Sequence, residues 1–508
     1  MSISYRVTIR QCWRRRVLLL AGIAAVSQPG WAAPPANTLA LPATGGIVTL
    51  SPPPPAPPAR APVKLSTDQA KQLVAMLQAA RSQGISRTID VADPSTDLNA
   101  DDSAKLIAAA LDYARALHSG QLAAGDFETE WGLRPAAYDP EPSFYDALSR
   151  GKLAGWIANL PPPYEGYEGL RRGLARYRTI AAAGGWQPLS FSENLAFGAK
   201  SASVAELRAR LRIEDPDVGD SASTTFDQPL LEAVRRAQRR YGLNPTGTVA
   251  SQTRTALNVP VEERIRQILA NMERWRWLPQ NLPRDRIQVN IAAAVMTVFD
   301  GDAPVLSMRA VTGRPGDETP MLQSQIHSIV LNPPWNVPTS IATRELLPKE
   351  RANPGYLKRN GFKIIKLADG GTRLQQAAGT QSALGRFKFD FDNNFSVYLH
   401  DTPTQGTFAR YDRLASHGCV RLEKPAALAE LLLKDDPTWT PEAIQAAVSK
   451  TDTIRVRLPA PVSVYLLYWT AFASADGQMN FRADPYGWDS TLATKIAARN
   501  QATRLTLR

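Results

Sequence analysis

From about residue 64, where the composition becomes that of a folded domain, apolar residues recur every three or four positions. Leu73 and Leu77 share one helical face in "STDQAKQLVAMLQAARSQGI", and Ser66 or Thr67 supplies the N-cap. The stretch "LNADDSAKLIAAALDYARALHSG" repeats the period and stops at a glycine. Neither stretch contains a group of polar residues that suggests a catalytic or binding site. The pattern therefore predicts a helical scaffold domain over residues 64–190.

A second group of amphipathic helices follows at residues 191–259. One apolar face contains Val204, Leu207 and Leu211, and another contains Leu230 and Val234. The turn "YGLNPTGTV" separates the second helix from a third, which begins in "TRTALN". This spacing predicts a small three-helix module. Residues 260–286 then form a connecting helix and linker.

The period changes from helical to alternating at Ile287. The runs "IQVNIAAAVMTVF", "VLSMRAVTG", "HSIVLNPPWNVP" and "FSVYLH" predict strands of a β-rich domain over residues 287–458. Residues 339–385 interrupt it with a polar, Gly-rich and partly helical insertion, which we expect to cover one face. Residues 459–508 add a strand, "PVSVYLLYWTAF", and a final helix, "DSTLATKIAARN". The predicted fold class is multidomain α+β.

Residues 1–33 have the pattern of an export signal. Five arginines precede or adjoin the apolar run 17–26, and small residues at 32–33 supply a cleavage site. The apolar run is too short to span a bilayer, since spanning takes about 20 residues. Residues 34–63 are rich in Pro and Ala and predict an extended linker with no core.

Cleavage of that signal changes the charge and the thiol content. The formal net charge falls from +12 to about +7, because residues 1–33 hold five arginines and no acid. This mild excess suits an anionic cell envelope and does not indicate nucleic-acid binding. Cys419 becomes the only cysteine, because Cys12 is removed. A lone thiol in an exported protein is either reactive or a small buried hydrophobe.

Cys419 and His400 are spaced for a nucleophile and a base. His400 ends an apolar strand in "HDTP", and 15 residues (401–415) separate it from the loop "SHGCVR" that carries Cys419. A nearby imidazole ordinarily lowers the pKa of a thiol, so we expect His400 to ionise Cys419. One cysteine at this spacing matches no common zinc site, and neither a metal nor another cofactor is expected.

The residues around the pair suggest further roles. The backbone N–H groups of Gly418 and Cys419 form a candidate oxyanion hole. His417 is assigned an orienting or hydrogen-bonding role. Asp401 could orient His400 through either its carboxylate or its backbone carbonyl, an alternative that the sequence leaves open.

Arg421 lies two residues beyond the candidate nucleophile. Its guanidinium could fork onto a substrate carboxylate, or it could form a salt bridge with Glu423 instead. Trp335, in "NPPWNVP", is interpreted first as a packing residue and second as a substrate contact.

The motifs together resemble the L,D-transpeptidases of bacterial cell walls, whose catalytic domain is called YkuD-like. The signature is a histidine, a gap of this length and Ser-His-Gly-Cys followed by an apolar residue and Arg. "NMERWRWLP", "TPML", "LGRFKFDF" and the tail "VSVYLLYWTAFASADGQMNFRADPYGWD" resemble the large multidomain branch of Gram-negative bacteria. Residues 191–259 resemble a peptidoglycan-binding module through "LRARL", "YGLNPTGTV" and "TRTALN".

The resemblance implies roles for individual residues. Cys419 would be the nucleophile and His400 the base, with His417, Gly418 and Ser416 shaping the loop. Arg421 and Tyr398 would contact substrate, and residues 339–385 would form a capping lid over residues 287–458. The implied site is periplasmic. Its partners would be peptidoglycan stem peptides, with other cell-wall synthesis enzymes as further partners.

The implied reaction is cross-linking of third-position diamino acids through a cysteine thioester, with release of D-alanine from a tetrapeptide donor. An L,D-carboxypeptidase or an enzyme attaching a wall protein would use the same thioester. A non-catalytic peptidoglycan-binding protein is the alternative of another class. The lid departs from the family pattern in "LQQAAGTQSALG", where Leu374, Ala377 or Ala378, and Ser382 replace an arginine, a proline and an asparagine. We expect that departure to affect acceptor choice or lid mobility.

Overall fold

The computed structural model describes residues 62–85, 94–219, 222–368 and 370–499. They belong to one compact unit that begins at residue 61. The predicted signal peptide (1–33) and almost all of the predicted linker (34–63) lie outside the described residues. Each helix within them is too short or too polar to cross a membrane.

Helices build the N-terminal region, as the apolar period predicts. They are α1 (Thr67–Gln78), α2 (Ala100–Ser119), α3 (Glu141–Ser149), α4 (Leu153–Ala158) and α5 (Glu165–Ala182). Ser66 is the N-cap of α1, where it forms a capping box with Gln69. Leu73 and Leu106 belong to a core of this region's own. Helix α5 instead buries Leu170 in the larger core that it shares with the rest of the chain.

The predicted module consists of α6 (Ala202–Arg212), α7 (Gln228–Arg240) and α8 (Ser251–Leu257). A buried carboxylate ties it to α5. Glu214 pairs with Arg210 at 2.8 Å and accepts hydrogen bonds from the hydroxyl groups of Tyr177 (2.6 Å) and Tyr241 (2.5 Å). Because Tyr177 lies on α5, the module is fixed against the scaffold region.

Helix α9 (Val261–Trp275) leads into the β-rich region. Its strands are β1 (Asp285–Asn290), β2 (Val295–Asp300), β3 (Ala303–Gly313), β4 (Leu322–Leu331), β5 (Trp335–Asn336), β6 (Phe362–Lys366), β7 (Thr372–Gln376), β8 (Phe387–Phe391), β9 (Leu399–His400), β10 (Leu414–Ser416), β11 (Val420–Leu422), β12 (Ile454–Leu467), β13 (Ala471–Ala473) and β14 (Met479–Phe481). The remaining helices are α10 (Thr339–Ile341), α11 (Leu347–Ala352), α12 (Tyr356–Arg359), α13 (Pro425–Leu432), α14 (Pro441–Val448) and α15 (Trp488–Arg499).

The main sheet closes on itself. Its strand order is β10-β3-β11-β9-β8-β4-β12-β1-β2, and β2 also pairs with β3. The hairpin between β1 and β2 turns at residues 291–294, where Ala294 adopts a positive φ of 50°. Closure places the short strands β9 and β11 side by side, since β9 otherwise pairs only with β8 and β11 with β3 among the described strands.

The predicted domain boundary at residue 458 is wrong, because it falls inside β12. This strand lies between β1 and β4, and its register against β4 shifts between Arg457 and Val462. Pro459 and Pro461 resemble a strand break in the sequence, but they lie in this irregularity, where a proline removes no regular ladder bond. The sheet therefore continues to Leu467, and the predicted final helix is α15.

The insertion 339–385 has more regular structure than the sequence predicts. Strands β6 and β7 form a hairpin that pairs with β5, and a helical segment made of α10, a π-helical turn (Ala342–Leu346) and α11 precedes it. Val337, Ile341 and Leu346 form a small core there, against which Trp335 and Leu374 pack. The insertion is therefore a folded subdomain with its own apolar centre.

Candidate active site

The parallel pairing of β9 with β11 sets the geometry of the site. Val420 is opposite Leu399 and Arg421 is opposite His400. Side chains two residues apart on a strand share a face. Tyr398 and His400 therefore face the same side as Cys419 and Arg421, and all four line one cleft of about 970 Å³. The sequence prediction that the loop returns beside the strand end is confirmed by this register.

The loop that carries Cys419 is held by hydrogen bonds around Ser416. The Ser416 hydroxyl donates to the carbonyl of Cys419 at 2.5 Å and accepts from the N–H of Gly418 at 3.2 Å. The Gly418 carbonyl accepts from the hydroxyl of Thr319 at 2.7 Å. Gly418 adopts a φ of 107°, which disfavours any residue with a Cβ. The N–H of Gly418 is thus engaged inside the loop, contrary to its predicted role in an oxyanion hole.

His400 is oriented by a backbone carbonyl. Its Nδ1 lies 2.5 Å from the carbonyl oxygen of Asp401, so Nδ1–H donates and Nε2 keeps its lone pair. The Asp401 carboxylate instead accepts from the backbone N–H groups of Arg386 and Thr402, each at 2.7 Å. Of the two orienting groups that the sequence allows, the structure has the carbonyl.

Burial, together with the positive charges of Arg421 and Lys388, lowers the pKa of His400 to about 3. Burial also raises the pKa of Cys419 above its ordinary value. The expectation that the imidazole ionises the thiol is therefore wrong for the resting protein. His400 is buried in the sheet and Cys419 is half-buried in the cleft, so both groups lose water that would stabilise their charged forms. At neutral pH the site holds a neutral thiol and a neutral imidazole.

Arg421 places an uncompensated positive charge in the cleft. Its guanidinium forms no ion pair with any described carboxylate, and its Nε is buried without a hydrogen-bond partner. Glu423, the alternative partner, binds Arg309, whose Nε lies 2.9 Å from it. Burial lowers the pKa of Arg421. The guanidinium of Arg421 therefore has no carboxylate partner within the described protein, and it is free to bind a carboxylate of a ligand.

Tyr398 lies between the sulfur and the lid. Its ring packs edge-on against the imidazole of His400, with centroids 5.5 Å apart, and Lys388 Nζ lies 4.3 Å from its ring centre. Burial raises the pKa of Tyr398, as does its contact with Cys419, whereas a hydrogen bond with Trp335 lowers it. Trp335 also packs against Phe362 of the lid, with ring centroids 6.2 Å apart. It therefore serves as both a packing residue and a cleft wall.

His417 contacts the lid rather than Cys419. Its Nε2 lies 2.6 Å from Oε1 of Glu345, in the π-helical turn of the insertion. Arg314 also reaches Glu345 at 3.2 Å, and Arg344 of the same turn pairs with Asp317 at 3.0 Å. These four side chains and His417 form an ionic contact, here called the lid clamp, between the insertion and the main sheet.

Sequence reasoning missed three charged residues of this site. Lys388 is opposite His400 in the register of β8 and β9, and a signal existed in "RFKFDF", where it alternates with buried phenylalanines. Glu345 could not be singled out, because its partner lies 72 residues away. Arg373, on β7, lines the cleft beside Leu374 and has a buried Nε without a partner.

Comparison with known protein families agrees with this geometry. Residues 284–441 match the model of the YkuD L,D-transpeptidase catalytic domain. Residues 284–441 are therefore similar to an L,D-transpeptidase catalytic domain. Residues 64–174 match a model called "Scaffold domain", and residues 200–257 match "Putative peptidoglycan binding domain". The resemblance stated from the motifs is thereby confirmed, as is the order of a helical region, a module and a β-rich catalytic domain.

A curated relative from Haemophilus influenzae, named "Putative L,D-transpeptidase", is 34% identical over 246 residues. The match covers 45% of this chain and 49% of the relative, so the chain spans about half the length of the protein it matches. Similar solved structures include L,D-transpeptidases from Xylanimonas cellulosilytica and Stackebrandtia nassauensis. The first has 14% identity and a TM-score of 0.18 (54% of this chain, 98% of the other), and the second has 12% and 0.23 (54% and 95%). TM-scores this low do not establish a common fold. The similarity of residues 284–441 to the catalytic domain therefore rests on the family model.

Proposed function

We propose that the protein is a periplasmic L,D-transpeptidase that cross-links third-position diamino acids of peptidoglycan through a thioester on Cys419. The observation that carries this proposal is the register of β9 and β11. It lines one lid-covered cleft with a thiol, an imidazole whose Nδ1 is held by a backbone carbonyl, and a guanidinium that has no carboxylate partner among the described residues. The family model that matches these residues supports the same chemistry.

Acylation begins from neutral groups. The Cys419 sulfur attacks the carbonyl carbon of the third-position diamino acid as His400 Nε2 accepts the thiol proton. The tetrahedral intermediate collapses, the C–N bond to D-alanine breaks, and His400 returns its proton to the leaving amine. With a pKa of about 3, His400 is unprotonated but only weakly basic in the resting cleft, and it becomes a stronger base when an anionic substrate neutralises Arg421.

Deacylation uses the same base in reverse. The side-chain amine of a second stem attacks the thioester carbonyl, and His400 accepts a proton from that amine. The C–S bond breaks, and the sulfur regains its proton from His400. Arg421 would bind a carboxylate of the donor stem. The backbone N–H of Cys419 would stabilise the oxyanion, because the N–H of Gly418 donates to the hydroxyl of Ser416 instead.

The lid favours transfer over hydrolysis. Transfer to an amine competes with water, and the competition depends on how well the closed cleft excludes water. The insertion covers the cleft with Leu346 and Leu374, which lie beside Trp335, and the lid clamp holds it against the loop of the nucleophile. This closure supports the cross-linking enzyme over the L,D-carboxypeptidase that would share its thioester.

Incubation with a defined disaccharide-tetrapeptide, followed by mass spectrometry of the products, tests the proposal. We expect a dimer that has lost one D-alanine, and no dimer from the Cys419→Ala variant. Tripeptide without dimer would identify a hydrolase. Wild-type product from Cys419→Ala would contradict cysteine catalysis altogether. The module at 200–257 and the match of its model support attachment to the same polymer.

A further inference from the structure

A second cavity, of about 680 Å³, shares no lining residue with the cleft that holds Cys419. The module contributes Tyr241 and Thr255, α9 contributes Arg264, and the C-terminal segment contributes Phe481 and Arg482. The volume lies in the range of about 300–1,000 Å³ that is typical of ligand pockets, which favour junctions between domains. Three aromatic residues, Tyr241, Tyr411 and Phe481, are among its lining residues.

Three arginines and three carboxylates line this cavity, but two of the arginines form no ion pair within the described residues. Its acidic residues are engaged: Glu263 by Arg266, Asp489 by Arg274, and Asp484 by the hydroxyl of Tyr468. Its two remaining cations, Arg264 and Arg482, form no ion pair with a carboxylate of the described residues. The cavity therefore has two guanidinium groups that a negatively charged ligand could neutralise.

Both guanidinium groups are held in place without being neutralised. Arg264 is only 4% exposed and lies 4.7 Å from the ring centres of both Tyr241 and Phe481. It donates to the carbonyl of Ala256 at 2.8 Å, and its Nε has no partner. These contacts orient Arg264 and leave its charge uncompensated.

Arg482 donates from Nη1 to the carbonyls of Arg240 (3.0 Å) and Phe481 (2.7 Å). Its side chain lies directly over Gly242, where a Cβ would come within 2.6 Å of it. Burial lowers the pKa of Arg482 to about 10. A half-buried cation with only carbonyl partners is poorly compensated until an anion is supplied.

We propose that this cavity is a second peptidoglycan site, which binds a carboxylate of a stem peptide at Arg264 and Arg482. The carboxylates of a stem suit two fixed guanidinium groups, and the aromatic walls suit the apolar faces of the attached sugars and alanines. The inference rests on the proposed wall substrate but not on catalysis. The site would anchor a strand to the module while the cleft processes a stem.

The test measures binding of a purified disaccharide-tripeptide to the full chain by equilibrium dialysis, in the Cys419→Ala background so that no transfer occurs. We expect two molecules bound per chain. Arg482→Gln removes one of the two charges, and Thr255→Trp, at an exposed lining position, fills space in the cavity while both arginines are retained. Each change should weaken one of the two sites at least tenfold.

Two controls identify the site. Arg239→Gln removes an exposed cation of the same module that does not line the cavity, and it should leave both sites intact. Arg421→Gln should weaken the other site only. A single bound molecule in the starting protein, or two wild-type sites in the Thr255→Trp variant, would overturn the proposal. Equal competition by citrate would also overturn it, since the cavity would then be a general carboxylate site. Failure of acyl transfer alone would leave these outcomes unchanged.

Discussion

Arg421 is the direct neighbour of His400 across two parallel strands, whereas Cys419 is the neighbour of Tyr398. The guanidinium charge therefore acts on the imidazole, and with burial and Lys388 it lowers the pKa of His400 to about 3. The arginine that would bind substrate thus also keeps the base unprotonated. Binding of an anionic substrate at Arg421 would weaken that effect as the reaction begins.

Removal of the arginine charge should raise the pKa of His400. In Arg421→Gln we expect the pKa to rise but to remain below the ordinary value of 6.5, because burial is the larger cause. Histidine-selective NMR titration can measure this, since the chain has four histidines. Arg309→Gln, which removes a cation paired with Glu423, is the control and should not shift it. An unchanged His400 titration in Arg421→Gln would exclude the coupling.

The lowered pKa of His400 predicts that the free energy of unfolding depends on pH. A histidine whose folded-state pKa is depressed contributes stability that is present above 6.5 and is lost as the pH falls toward about 3, because the unfolded chain binds the proton first. Each pKa unit corresponds to about 1.4 kcal/mol. His400→Gln should therefore lose less stability than the wild type between pH 6.5 and 3 in denaturant unfolding. If the stability of both proteins fell equally with pH, the pKa of His400 would not be lowered in the folded protein.

The thiol should be largely unionised at neutral pH. Burial raises the pKa of Cys419, so its alkylation by iodoacetamide should increase with pH through a midpoint above the ordinary thiol value of 9.0. His400→Gln should leave the alkylation rate at pH 7 nearly unchanged while it lowers acyl transfer by about 100-fold or more, as expected for loss of a general base. The modified Cys419 peptide can be quantified by mass spectrometry. A low alkylation midpoint that rises in His400→Gln would instead indicate a preformed ion pair.

Much of this fold is predictable from local sequence. The helical period of "STDQAKQLVAMLQ" and the cap at Ser66 define α1, and the spacing of His400 and Cys419 predicts their shared cleft. Closure of the sheet through β2 and β3 is not predictable in this way, because it depends on the pairing of distant strands. The pKa directions are equally non-local, since they follow from burial and from Lys388 and Arg421. Pro459 and Pro461 lie where β12 is irregular against β4, because a proline stops a regular strand but fits a bulge.

The lid clamp should control the choice between amine and water. Glu345→Gln removes the charge that contacts His417 and Arg314, so the insertion should open more often and admit water to the thioester. We expect a larger share of tripeptide relative to dimer among the products, with acylation retained. Arg351→Gln, an exposed change on α11 of the same insertion, is the control. An unaltered product ratio in Glu345→Gln would show that the clamp does not govern water entry.

Truncation at the boundary predicted from the sequence should abolish folding of the catalytic domain. A chain ending at residue 458 lacks the half of β12 that pairs with β1 and with the start of β4. Val464 and Leu466, both fully buried, would be lost with it. Circular dichroism and solubility can check this, with a chain ending at residue 499 as the control. A soluble, cooperatively unfolding product ending at 458 would show that β12 is dispensable.

The most direct test of the account is the intact mass of the protein after brief mixing with a disaccharide-tetrapeptide. We predict a covalent adduct equal to the disaccharide-tripeptide acyl group, which is lost on treatment with hydroxylamine and maps to the peptide carrying Cys419. No adduct should form on Cys419→Ala. An adduct that survives in Cys419→Ala, or cross-linked dimer produced at normal rate by that variant, would contradict a thioester on this sulfur.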